Sequence, residues 1–183
     1  WFICFRTDVG TCLVFLQVGV TIIIWIQLGV VRIERVQFHG EFGAIGNGIS
    51  FAMGVAAARP ELPTVLLDGD GSLMMHVQEL ETILRHDLNI LVVVLNDGAY
   101  GSEIHKLRAE GMSDAGAVFG RTDLAAIARG FGAGGETITD LAALPDLADA
   151  FARSGGAAVW DVPISDAVMS PVVRRSHWSG KAH

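Results

Sequence analysis

Two short polar clusters carry the residue types best suited to chemistry on a charged ligand. The first is Gly69-Asp70-Gly71-Ser72 and the second is Asn96-Asp97-Gly98-Ala99-Tyr100-Gly101. Asp70 offers a hard carboxylate oxygen and Asn96 a hard amide oxygen. Glycines beside them let backbone N–H groups approach a phosphate with no Cβ in the way. Mg²⁺ prefers octahedral oxygen ligation, with few protein groups and the remainder supplied by phosphates and water. The two clusters together suit a Mg²⁺–diphosphate group. Neither is specific alone, because Asp-Gly turns are common.

The elements around these clusters bring them together. Thr64–Leu67 reads as a short buried strand running into the first cluster. Asn89–Leu95, an almost unbroken Leu/Ile/Val run, reads as a strand ending at the second. Such a run implies burial on both faces, as in a parallel sheet. Val77–His86 has helical spacing between them, so the two strands are expected to be neighbours and both clusters to face one crevice. Upstream, Ile33–Phe38 reads as a strand, Gly40–Gly48 as a glycine-rich turn and Ile49–Arg59 as a helix, with Pro60 and Pro63 bracketing its end. Helices at Asp123–Gly130 and Leu141–Ser154 and a last strand at Ala157–Val162 follow. The alternation predicts a doubly wound α/β domain, a parallel sheet with helices on both faces. In that architecture ligands bind at the carboxyl ends of the strands.

The stretch GDGSLMMHVQELETILRHDLNILVVVLND resembles the signature of thiamine-diphosphate enzymes, in which a GDG is followed some two dozen residues later by Asn. Here 24 residues lie between Gly71 and Asn96. The upstream GEFGAIGNGISFAMGVAAARPELP is similar to the glycine-rich segment of acetolactate-synthase-like enzymes, and LNDGAYGSEIHKLRAEG continues the likeness. The resemblance covers residues 38–165, leaving 1–37 as a weakly matching segment and 166–183 as a tail. It implies Mg²⁺ held by the side chains of Asp70 and Asn96 and the backbone carbonyl of Gly98, with two diphosphate oxygens and a water. Backbone N–H groups around Gly69, Gly71-Ser72 and Ala99-Tyr100 would hold the diphosphate. The Gly43 carbonyl would accept from the 4′-amino group of thiamine diphosphate. Ile45 would be the apolar wedge that bends the cofactor, although packing into the core is the other reading of that side chain. The implied substrate is a 2-oxo acid, with the cofactor as electron sink for decarboxylation or carboligation.

The resemblance also implies something outside these residues. The family's activating glutamate lies on a separate pyrimidine-binding domain, so no catalytic acid is assigned in this chain. That domain is expected on a longer chain or on a partner subunit, as in split, sulfopyruvate-decarboxylase-like systems, within a homo- or hetero-oligomer. His76 stands where relatives often have Asn. Two rivals remain open: an NAD-dependent dehydrogenase and a non-catalytic subunit that keeps the fold. Gly46-Asn47-Gly48 with Asp68 imitates the dinucleotide fingerprint, but Phe51 occupies the third glycine position and Asn96-Asp97-Gly98 is left idle. His39 and Glu41 read as solvated, as do His105, Lys106 and Arg108 along one helix face. Met74-Met75 reads as core, and Asp68 and Asp97 as turn residues.

Thirteen basic against twenty acidic residues give a net charge of −7, which lacks the electrostatic footprint of a nucleic-acid surface. Cys4 and Cys12 show no metal spacing, so a reducing cytoplasm is the default setting. Val9–Val31 carries no charge and is long enough to span a bilayer. Its glutamines, glycines and β-branched residues suit buried strands better, and a membrane span is not the expectation.

Overall fold

A computed structural model of the chain describes residues 44–169 fully, together with the backbone of four earlier strands. These are β1 (Phe2–Thr7), β2 (Gly10–Phe15), β3 (Thr21–Gln27) and β4 (Arg32–His39). There follow α1 (Gly48–Ala58), β5 (Thr64–Gly69), the single turn α2 (Asp70–Leu73), α3 (Glu79–Arg85) and β6 (Ile90–Asn96). The rest comprises α4 (Gly101–Ala109), α5 (Leu124–Phe131), β7 (Gly134–Thr137), α6 (Leu144–Ser154) and β8 (Ala157–Pro163).

β1 and β2 form a separate two-stranded pair, and the main sheet has the order β4-β3-β5-β6-β8-β7. Its last four strands are parallel, with Thr64 beside Ile90, Ile90 beside Ala157 and Gly134 beside Ala158. The parallel sheet expected from the apolar runs is therefore present. The β3–β4 hairpin adds to its edge antiparallel, through pairs such as Ile22 with Leu67. The apolar run Val9–Val31 holds β2 and β3. Among the described residues no helix is long and apolar enough to cross a membrane.

Strand periodicity explains the two helical layers. Leu66, Ile90, Val92 and Val94 point to one face and pack with Ile49, Ala52 and Ala56 of α1, Leu80 and Ile83 of α3, and Leu124 and Ala128 of α5. Their neighbours Val65, Leu67 and Leu91 point to the other face, against Phe151, Leu144 and Leu147 of α6. Successive strand residues face opposite ways, so a strand covered on both sides must be apolar throughout. The ends of the helices follow local rules. The Asp123 carboxylate accepts the Ala126 N–H at 2.8 Å to start α5, and Gly132 ends it in a left-handed conformation. Pro145 sits in the first turn of α6, where its missing N–H costs nothing.

Candidate functional site

β5 and β6 are adjacent and in register, with Gly69 beside Leu95. Asp70 and Asn96, one residue further on, therefore emerge side by side at the carboxyl edge of the sheet, where α/β folds bind ligands. Both are buried, at 3% and 2% exposure.

The Asp70 carboxylate bridges the two clusters. Oδ1 accepts the Gly71 N–H at 2.9 Å and Oδ2 accepts the Gly98 N–H at 2.8 Å. Burial pushes its pKa up to about 6, against the pull of those N–H groups and with a smaller upward push from the Asp97 charge. Among the described residues no cationic side chain pairs with it. A desolvated carboxylate without a counter-ion is a place where a cation lowers the energy.

Asn96 presents a second oxygen. Its Nδ2 donates to Asp161 Oδ1 at 2.9 Å and to the Thr122 carbonyl at 3.0 Å. Oδ1 is buried and lacks a hydrogen-bond partner among the described residues. Turning the amide over would set that oxygen against two acceptors, so its orientation is forced. No three His, Cys, Asp or Glu side chains gather as a metal cluster among the described residues. A cation here would be held by mixed oxygen donors, and the carboxylate of Asp70 with the orphaned amide oxygen of Asn96 fits a hard ion such as Mg²⁺.

The backbone around these two is tight. A Cβ on Gly71 would lie 2.7 Å from the Tyr100 ring. Gly98 has φ of +75°, and a Cβ there would lie 2.9 Å from the Gly120 backbone. Ser72 ties the upstream turn to this cluster, because its Oγ accepts the Gly46 N–H at 2.9 Å. His76 closes the same clamp, with Nδ1 donating to the Gly46 carbonyl at 2.8 Å. That contact gives His76 a defined task that its residue type alone did not reveal. Ile45 is half-buried beside this clamped turn. Gly43, Glu41 and His39 lie outside the fully described residues.

The third expected ligand is otherwise engaged. The Gly98 carbonyl accepts N–H groups from Phe119 at 3.0 Å and Gly120 at 2.9 Å, and the Tyr100 N–H donates to the Ala117 carbonyl at 2.9 Å. The Ala99 N–H donates to Asp97 Oδ1 at 3.2 Å, the turn role expected of Asp97. Residues 117–120 thus lie along the second cluster, and Phe119 meets Tyr100 edge-on with ring centroids 5.2 Å apart. An open cleft of about 420 Å³ beside them is lined by Gly71, Met74, Met75, Tyr100, Gly116, Phe119 and Thr122.

Two expectations need correction. Met74 and Met75 are not core: they are 38% and 45% exposed at the mouth of this cleft. They follow the one-turn α2, which ends before either can reach the sheet. His105 is not solvated but 7% exposed, because α4 turns it inward beside Ile104. Asp161 and Thr122 escaped the sequence reading altogether. The signal for Asp161 was a lone acid inside the apolar strand Ala157–Val162.

Comparison with known proteins gives the family. The family model described as thiamine pyrophosphate enzyme, C-terminal TPP binding domain, matches residues 18–162. An acetolactate synthase large subunit of Mycobacterium tuberculosis is 36% identical over 140 residues, covering 75% of this chain and 25% of that protein. An alpha-keto-acid decarboxylase of Mycobacterium avium is 43% identical over 72 residues, 38% of this chain and 13% of that one. The crystal structure of benzoylformate decarboxylase from Polynucleobacter necessarius superposes with a TM-score of 0.63 at 25% identity, covering 70% of this chain and 25% of that one. The chain spans about a quarter of the length of the acetolactate synthase and benzoylformate decarboxylase relatives. By the matched residues, the parallel sheet and the paired clusters at its edge, the chain belongs to the thiamine-diphosphate enzymes as a C-terminal cofactor-binding domain.

Proposed function

We propose that this domain binds thiamine diphosphate through Mg²⁺ and works in a 2-oxo-acid decarboxylase or carboligase of the acetolactate-synthase-like class. The observation that carries the reading is the juxtaposition at the sheet edge of two buried oxygens that no cationic side chain among the described residues pairs with. One belongs to a carboxylate that burial disfavours, the other to an amide whose oxygen has no partner among the described residues.

In this reading Asp70 and Asn96 hold the cation by their side chains, and the Gly98 carbonyl joins once Phe119 and Gly120 release it. N–H groups around Gly69, Gly71-Ser72 and Ala99-Tyr100 orient the diphosphate, with Gly71 leaving room for the Tyr100 ring. The clamp from Ser72 and His76 fixes the turn that carries Ile45, so that an apolar side chain is braced where the cofactor bends. Gly43, before it, accepts from the aminopyrimidine. When bound, thiamine diphosphate supplies a carbon nucleophile and an electron sink for chemistry at a 2-oxo group. Met74, Met75 and Phe119, which line the adjacent cleft, would shield the bound cofactor from water.

The proton that activates the cofactor comes, in this proposal, from a glutamate on a pyrimidine-binding domain, carried by a longer chain or a partner subunit. The working unit is then an oligomer, in a cytoplasmic setting. Calorimetric titration with thiamine diphosphate tests the binding step. Binding that needs Mg²⁺ and disappears with a chelator supports the proposal. Equal binding with and without the cation sinks it.

A further inference from the structure

Asp161 lies near the carboxyl end of β8, 3% exposed, and both of its oxygens are committed. Oδ1 accepts from Asn96 Nδ2 at 2.9 Å, and Oδ2 accepts the Leu124 N–H at the start of α5 at 3.1 Å. β6 and β8 are neighbours, with Asn96 beside Pro163, so the contact links adjacent strand ends. The Thr122 carbonyl takes the other proton of the same amide. Both acceptors lie on the Nδ2 side of Asn96, and its oxygen points the other way, with no hydrogen-bond partner among the described residues.

We infer that Asp161 is a positioning residue, a clamp that holds the Asn96 amide oxygen toward the cation. The inference rests on the proposed Mg²⁺ site and adds to it a residue that touches neither cation nor cofactor. An amide is nearly symmetric in shape, so packing alone does not choose which end points where. A carboxylate on one side does choose, since it accepts and cannot donate. Groups that orient a ligating side chain in this manner typically change metal affinity by about 10–100-fold when replaced. The second oxygen of Asp161 is held by the α5 backbone, so the clamp itself is anchored.

Asp161→Asn separates this role from mere packing. The replacement has nearly the same shape but brings one N–H group. If its oxygen serves Asn96, its amide faces the Leu124 N–H. If its oxygen serves Leu124, its amide draws the Asn96 oxygen out of the crevice. Asp161→Ala removes the acceptor entirely. As a control, Asp123→Ala removes a different acceptor from the first turn of α5 and leaves Asn96 untouched.

The experiment measures Mg²⁺ affinity by calorimetry at saturating thiamine diphosphate, beside the thermal midpoint of each cation-free protein. NMR of the Asn96 side-chain amide protons in cation-free wild type is the second readout. The clamp predicts two slowly exchanging amide protons in wild type. It also predicts about a 10–100-fold loss of Mg²⁺ affinity in Asp161→Asn and Asp161→Ala, and wild-type affinity in Asp123→Ala. Unchanged affinity in both Asp161 variants overturns it, and so does an equal loss in Asp123→Ala. Should the Asp161 variants fail to fold, fast exchange of both Asn96 amide protons in wild type overturns it alone. Wild type that binds no Mg²⁺ overturns the proposed function itself, an outcome distinct from wild-type binding that Asp161 does not affect.

Discussion

Asp70 and Gly98, 28 residues apart in the chain, are joined by one bond: the Asp70 Oδ2 accepts the Gly98 backbone N–H at 2.8 Å. The two clusters that sequence spacing only suggested as partners are thereby tied directly to each other. The bond also means that Asp70 has a structural task beside its proposed ligand role. Replacing it by alanine would leave two buried N–H groups without an acceptor, at about 1–3 kcal/mol each.

Asp70→Asn is therefore the sharper variant, since it keeps the shape and one acceptor while removing the charge. Mg²⁺-dependent affinity for thiamine diphosphate should fall by well over the tenfold typical of replacing an outer-shell group. The cation-free protein should keep its fold by circular dichroism. Calorimetry on a folded Asp70→Asn protein gives the answer, and wild-type affinity there would remove Asp70 from the metal site.

The Gly98 carbonyl cannot serve a cation and two N–H groups equally. If it turns to Mg²⁺, the amides of Phe119 and Gly120 lose their acceptor. Hydrogen exchange at those two amides should accelerate about fivefold to tenfold on adding Mg²⁺ and thiamine diphosphate, because one hydrogen bond contributes about 1 kcal/mol net. The Tyr100 amide, now on the Ala117 carbonyl, should change with them if it turns to the diphosphate. Slower exchange at Phe119 and Gly120 would mean that residues 117–120 stay in place and that Gly98 is not a ligand.

The strands and the two polar clusters at their ends were legible because their signals are local. Asn89–Leu95 is apolar on both faces, which few structures other than a covered parallel strand require, and the polar clusters begin where such strands stop. β7 was not legible: Gly134-Gly135-Glu136-Thr137 has little strand preference and is held by pairing with β8. Nor was the hairpin at the opposite edge, since the direction in which β3 joins β5 depends on the whole connection. His105 was misread for a related reason. A histidine beside Lys106 and Arg108 looks solvated until the turn of α4 is known. Asp161 was missed because its purpose lies 65 residues away, at Asn96.

His105 yields a prediction about pH. Burial, then the neighbouring Arg108 charge, hold its pKa below the usual 6.5, with Asp97, Asp166 and the Val168 backbone pulling the other way. Below that pH the unfolded chain takes up a proton that the folded chain resists, so stability is lost as pH falls and is unaffected above it. Asp68 and Asp70, each raised to about 6 by burial, act in the opposite sense and gain stability on acidification. The wild-type curve alone mixes these signs. The difference between wild type and His105→Gln isolates the histidine: it should be constant above about pH 7 and shift in favour of the variant towards pH 5. Thermal midpoints across that range provide the measurement. A constant difference would show that His105 titrates alike in both states.

The last prediction is that residues 1–183, purified alone, bind the cofactor but do not turn over a 2-oxo acid. Three described glutamates follow the two clusters closely in the chain, Glu79, Glu81 and Glu103. Glu81 is paired with Arg85 at 3.0 Å and Glu103 with Lys106 at 2.8 Å, both pairs exposed to solvent. Glu79 sits in the first turn of α3. Among the described residues none of the three carboxylates hydrogen-bonds to Asp70, Asn96 or Gly46. A positioned acid–base group contributes about 10²–10⁴-fold to rate, and losing the surfaces that orient substrate removes more. Supplying a pyrimidine-binding domain in trans should restore turnover by supplying both. Pyruvate consumption at saturating thiamine diphosphate and Mg²⁺, with and without that domain, is the assay. Full turnover by the isolated chain would place the activating acid within these residues and remove the need for a partner.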